Sequence, residues 1–77
     1  MTLKDIRIGS SAVVKTVGGE GALRLRFLDM GIRPGTRVAV SKAAPFGDPI
    51  QLSLRGYSLT MRLSDAEMIT VEEDTVR

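Results

Sequence analysis

Histidine, cysteine and tryptophan are all missing from the 77-residue sequence. Without imidazole or thiolate there is no His/Cys metal site, no cysteine nucleophile, no histidine general base and no disulfide. Only two Phe and one Tyr are present, too few for the aromatic platform on which basic barrels stack nucleobases. No apolar run reaches the roughly 18 residues that span a bilayer. The first residues, Met1-Thr2-Leu3-Lys4-Asp5-Ile6-Arg7, lack the apolar core of a secretory signal. A soluble cytoplasmic chain, without direct membrane insertion, is the expectation. Carboxylate chemistry survives these exclusions, but no serine has a base legible from spacing, and a domain of this size offers little room for a substrate cleft. The sequence therefore points away from an enzyme and implies no cofactor and no resident metal.

What is present describes one small domain. Hydrophobic residues make up 43% and charged residues 26%, an ordinary globular balance. Size scaling expects a folded surface of roughly 4,600 Å². The net charge of +2 conceals a basic middle (residues 24–42, +4) and an acidic end (residues 64–77, −4). A basic segment can meet phosphate or an acidic protein face. No block of five or six consecutive like charges occurs, so the ordinary reading is that the two segments face each other in the fold. The run Glu72-Glu73-Asp74 reads as a solvated acidic tail, because adjacent carboxylates on an extended chain point to alternating sides.

Ser11–Val17 is β-branched and bounded by Gly9 and Gly18-Gly19, which predicts a strand. Glu20–Met30 suits a helix closed by Gly31 in a left-handed conformation. On that helix Leu23, Phe27 and Met30 share one stripe, and Leu25 and Leu28 lie nearly opposite. The second stripe is either covered by adjoining loops or open to a partner, including a second copy of the chain. The partner reading makes Leu25 and Leu28, flanked by Arg24 and Arg26, candidate contact residues. The turn Arg33-Pro34-Gly35-Thr36 leads into a strand over Thr36–Ala43. Ala44-Pro45-Phe46-Gly47-Asp48-Pro49 must be a loop. Phe46 at its tip ordinarily folds back over the barrel end. Left exposed on a proline-stiffened loop it docks at low entropic cost, which makes it the fifth candidate. Ile50, Leu52 and Leu54 alternate with polar residues, as do Leu59, Met61 and Leu63 after a break at Gly56-Tyr57. Ser64-Asp65-Ala66-Glu67 matches a capping box with Ser64 as N-cap, and Leu63 and Met68 match its staple. Ile69-Thr70-Val71 resumes β character, and Glu72–Arg77 reads as a polar tail. Gly18-Gly19-Glu20-Gly21 fits neither phosphate-binding glycine pattern. The sum is a mainly β domain, a small barrel of about five strands with one helix after the first strand and a helical turn before the last.

Two segments together carry a specific resemblance: Met30-Gly31-Ile32-Arg33-Pro34-Gly35-Thr36, then Ala44-Pro45-Phe46-Gly47-Asp48-Pro49-Ile50. The pattern continues through Arg55-Gly56, Leu59-Thr60-Met61-Arg62, Ala66 and Ile69-Thr70-Val71. The chain resembles the FeoA family of ferrous iron transport proteins. Phe27 and Met30 stand where that family usually has Leu, and Leu63 replaces a residue that is often polar. The resemblance implies an SH3-like barrel, no known enzymatic activity, and service as a cytoplasmic accessory of FeoB, the membrane Fe(II) transporter with a GTP-hydrolysing domain. The rival expectation from composition alone is a basic barrel associated with nucleic acid or transcription. The related repressors that carry such a barrel also carry a helix-turn-helix, which this chain lacks. No nucleic-acid partner is therefore expected.

Overall fold

The computed structural model describes residues 1–74. Its elements are a 3₁₀ turn at Leu3–Asp5, strand β1 at Ser11–Val17, helix α1 at Ala22–Asp29 and strand β2 at Arg37–Ala43. Strand β3 at Ile50–Leu54, β4 at Tyr57–Met61, the single-turn helix α2 at Leu63–Ala66 and β5 at Ile69–Glu73 complete the chain. The strands form one antiparallel sheet in the order β4-β3-β2-β1-β5. This is the mainly β architecture that the sequence predicts, with both helical elements in the expected places. The accessible surface of 4897 Å² lies close to the size expectation.

Alternation places the core. Val38 and Val40 of β2, and Ile50, Leu52 and Leu54 of β3, are buried while most of their neighbours are not. Val14, Ile69 and Val71 join them from β1 and β5. Phe27 is 0% exposed and brings α1 onto this cluster, with Leu23, Leu28 and Met30 packed against it. Burying each such side chain contributes about 1.5–3 kcal/mol. Register shifts between Val14 and Thr16 and between Val40 and Lys42 bend β1 and β2, as extra residues in a ladder do. Gly18 marks a close approach: its N–H donates to Met68 O at 2.7 Å, and a Cβ there would come within 2.6 Å of that oxygen.

Four sequence expectations change. Arg55 and Gly56, both at positive φ, make a two-residue hairpin in which Tyr57 pairs with Leu54, so Tyr57 opens β4 instead of breaking the strand. Strand β4 ends at Met61, and Leu63 begins α2. The Ser64 capping box does not form: Arg62 occupies the N-cap position without a side-chain cap bond. The Leu63 N–H instead donates to Asp48 Oδ1 at 3.0 Å, so a loop 15 residues upstream replaces the local serine. Glu72 and Glu73 belong to β5. The Asp74 N–H donates to Ser11 O at 3.1 Å, and residues 75–77 of the expected tail lie outside the described residues.

The basic and acidic segments do face each other. Arg26 lies 3.9 Å from Asp65, and Arg37 Nε lies 2.7 Å from Asp74 Oδ2. The second contact is an ion pair and not a directed hydrogen bond, because the guanidinium N–H points off the oxygen. Lys15 pairs with Glu72 at 3.4 Å. Lys4 donates to Glu67 at 2.6 Å, and this bond, with the Glu67 charge, raises the Lys4 pKa above its ordinary 10.5. Its small stabilisation is intact below pH 10.5 and is lost as pH climbs through the raised value.

The two sheet edges differ. The outer side of β5 is covered by the chain start, with Val71 N–H donating to Met1 O at 2.9 Å and a bridge between Thr2 and Thr70. Among the described residues, β4 pairs only with β3.

Candidate partner-binding surface

The loop between β2 and β3 is tied at its base and projecting at its tip. The Ala44 N–H donates to Pro49 O at 3.0 Å, and the Gly47 N–H donates to Ala44 O at 2.7 Å. Gly47 takes φ of +84°, which glycine adopts without strain. The Asp48–Pro49 peptide is cis, and Asp48 caps α2. Phe46 therefore stands on a braced turn with 98% of its surface exposed. The expectation that it folds back over the barrel end does not hold: Ala44–Pro49 is too short and too firmly tied to reverse, and the core is already filled by Phe27. Replacing Asp48 by Ala is expected to cost about 0.5–2 kcal/mol, at about 4–8 °C of Tm per kcal/mol. Asp48→Asn, which keeps the acceptor oxygen, should melt near the wild type. Equal melting of Asp48→Ala and wild type by calorimetry would remove the cap from this account.

A groove of about 440 Å³ opens at the base of the loop. Met30, Pro49 and Met61 supply its apolar surface, and Arg26, Arg62 and Asp65 stand around it, with Thr60 contributing from β4. A second hollow of about 230 Å³ shares Pro49 and Thr60 and adds Lys42. Asp65 already neighbours Arg26, so the excess charge of the rim is positive. Among the described residues, no three carboxylates cluster closely enough to hold a metal ion. Glu72 and Asp74 are instead engaged by Lys15 and Arg37.

The five sequence-derived candidates fare differently. Leu25 is 60% exposed on α1, and Arg26 borders the groove. Arg24 has an exposed surface but turns its Nε to donate to Val17 O at 3.2 Å. Leu28 is the correction: it is half-buried and packed against the core, so Leu25 lacks the exposed neighbour that the helical stripe predicts. Of the five, the groove lining includes Arg26 alone; Pro49 of the loop base joins it there, while Phe46, Leu25, Leu28 and Arg24 stand outside the lining. Arg62 and Thr60 belong to the segment that carries the family resemblance, but nothing in the sequence marks them as site residues. They read as the polar half of an alternating strand, and only the β3–β4 hairpin sets them opposite α1.

The C-terminal end of α1 is fixed to β4. The Tyr57 hydroxyl donates to Met30 O, Arg33 Nε donates to Leu28 O at 3.3 Å, and Gly31 continues from the helix at φ +96°.

This architecture and its sequence have known counterparts. A family model described as the FeoA domain matches residues 1–73. An Fe(2+) transport protein A/Fe(2+) transporter FeoB fusion protein from Porphyromonas gingivalis is 36% identical over 72 residues, covering 94% of this chain and 8% of the fusion. The chain thus spans a small part of that curated relative. Among solved structures, an FeoA-like protein from Clostridium acetobutylicum superposes with a TM-score of 0.90 at 40% identity, over 100% of this chain and 90% of the other. Stenotrophomonas maltophilia FeoA, solved with zinc and described as an SH3 domain protein, superposes with a TM-score of 0.82 at 26% identity, over 94% of this chain and 89% of that one. The five-stranded sheet, the helix after β1 and the match over residues 1–73 agree: the chain belongs to the FeoA family.

Proposed function

We propose that this protein is a non-catalytic accessory of a bacterial FeoB-type ferrous iron transporter and that it acts on the transporter's cytoplasmic part by direct contact. The observation that carries the reading is Phe46, an aromatic side chain 98% exposed on a braced loop. Leaving it in water forgoes about 1.5–3 kcal/mol that docking would recover. The rigid loop keeps the ordering cost of that docking low. The fused relative, which carries FeoA and FeoB in one polypeptide, supports the choice of partner. Among the described residues no helix is long and apolar enough to cross a membrane, which accords with a module that meets the transporter from the cytoplasm.

Pull-down with the transporter's purified cytoplasmic part tests the reading. Phe46→Ser is expected to weaken capture by about tenfold or more, as loss of an aromatic anchor does. Leu25→Asp is expected to weaken it less, because Leu25 is 60% exposed against 98% for Phe46 and so has less surface left to cover on docking. Both sites are exposed, so both variants should melt within about 0.5 kcal/mol of wild type. Undiminished capture by Phe46→Ser, with its fold intact, would remove the loop from the interface.

A further inference from the structure

Strand β4 stands at the edge of the sheet. In a two-residue hairpin the residues flanking the loop form a hydrogen-bonded pair, and the pairs then alternate. Leu54 with Tyr57, Leu52 with Leu59 and Ile50 with Met61 are thus the bonded pairs, and Ser53 with Ser58 and Gln51 with Thr60 are the open ones. The backbone N–H and C=O groups of Ser58 and Thr60 therefore point away from β3. Among the described residues they have no backbone partner.

Sheet proteins ordinarily blunt such an edge with lysine, proline, a bulge or a covering segment. This fold covers β5 in that way, using Met1 and Thr2. Strand β4 has no proline and no lysine, its ladder with β3 is free of register shifts, and its outward side chains are Ser58 and Thr60. The groove of about 440 Å³ opens beside Thr60, with Met30, Pro49 and Met61 among its lining, where alternate side chains of an added strand would seat. Charge selects the occupant. Arg55 stands at the hairpin, Lys42 and Arg26 border the two hollows, and Arg62 follows the strand. Two carboxylates stand against these four cations, Asp65 beside Arg26 and Asp48 in a hollow shared with Arg62, and the balance stays positive. A second copy of β4 fits poorly. Antiparallel pairing centred on Leu59 would set Arg62 opposite Gly56 and Arg55 opposite Leu63 of the other copy, gathering the four arginines of two copies along one seam.

From this we infer that β4 accepts an extended, acidic segment of a protein partner as a sixth strand. Main-chain bonds from Ser58 and Thr60 give the affinity, and Arg26, Arg62 and Lys42 select for carboxylates. The inference stands apart from the transporter assignment, since its test needs no transporter.

The probe is a short synthetic peptide of alternating Glu and Val, titrated into nitrogen-labelled protein while backbone amides are followed by NMR. A second peptide with Lys in place of each Glu serves as control. The Ser58 and Thr60 amides should shift with the acidic peptide and not with the basic one, and added salt should weaken the effect. Thr60→Pro removes an outward N–H without touching the β3 ladder, and it should weaken the acidic peptide by about tenfold. If Thr60→Pro does not fold, Arg62→Glu with Arg26→Glu decides: loss of the acidic peptide supports the site, and unchanged binding overturns it. Equal response to both peptides, or unmoved Ser58 and Thr60 amides, also overturns it. So does a concentration-dependent shift of those amides in protein alone, which would make the occupant a second copy.

Discussion

Phe27→Ala is expected to lower Tm by about 15–30 °C and to leave a substantial unfolded population at physiological temperature. Phe27 is fully buried and is the largest side chain in the core. It is also the residue of α1 buried outright, with Leu23, Leu28 and Met30 packed only partly. Truncating such a phenylalanine costs about 3–5 kcal/mol, because the cavity does not collapse. A chain of this length has roughly 4–12 kcal/mol in total, and each kcal/mol moves Tm by about 4–8 °C. The helix would lose its anchor, and with it the placement of Arg26 and Met30 beside the groove. Phe27→Leu is the control. The family resemblance puts leucine here, and the exchange keeps the site filled with an apolar branch at about 1 kcal/mol. Calorimetry on the two variants separates core volume from any special need for an aromatic ring. If Phe27→Ala melts within a few degrees of wild type, α1 is not part of the cooperative core.

Gly31→Ala should have the next largest effect, about 3 kcal/mol, from two separable causes. Gly31 has φ of +96°, and an L-residue pays about 1–2 kcal/mol or more in that region. The remainder is steric: a Cβ on Gly31 would overlap the Tyr57 hydroxyl, which donates to Met30 O. The added methyl displaces that hydroxyl and leaves the helix end without its tie to β4. Tyr57→Phe alone should lose only the hydrogen bond, about 1 kcal/mol. In the Gly31→Ala/Tyr57→Phe double variant the overlap is gone, so the combined loss should fall short of the sum of the two single losses. A double-mutant cycle read by denaturant unfolding measures that coupling. Strict additivity would mean that Tyr57 does not sit over Gly31.

The sequence carried the strand pattern well where each strand has one wet and one dry face. Val38 and Val40, and Ile50, Leu52 and Leu54, show their burial as a period of two. Gly31 was equally legible, because a left-handed residue after a helix is a local requirement. The misreadings arose where a distant group overrode a local one. Ser64 and Glu67 have the right spacing to cap a helix, but Asp48 accepts from the Leu63 N–H and the turn starts two residues earlier. Leu28 looked like half of an exposed stripe, because a helical wheel knows nothing of how far the core extends around the helix. The candidate site was legible in part. Phe46 and Arg26 stand out by type and position, whereas Arg62 and Thr60 acquire meaning only when the hairpin folds them toward α1.

The cover over β5 has a topological consequence. Met1 meets Val71, and Thr2 meets Thr70, so the first and last of the described residues lie along one edge of the sheet. The Phe46 loop and β4 belong to the other side of the strand order. A module wired in this way can be tethered at either end, or spliced into the middle of a longer polypeptide, with both junctions on one flank. The Phe46 loop joins β2 to β3 and takes no part in that edge, so a tether at β5 leaves the loop tip, with Phe46 98% exposed, unoccupied.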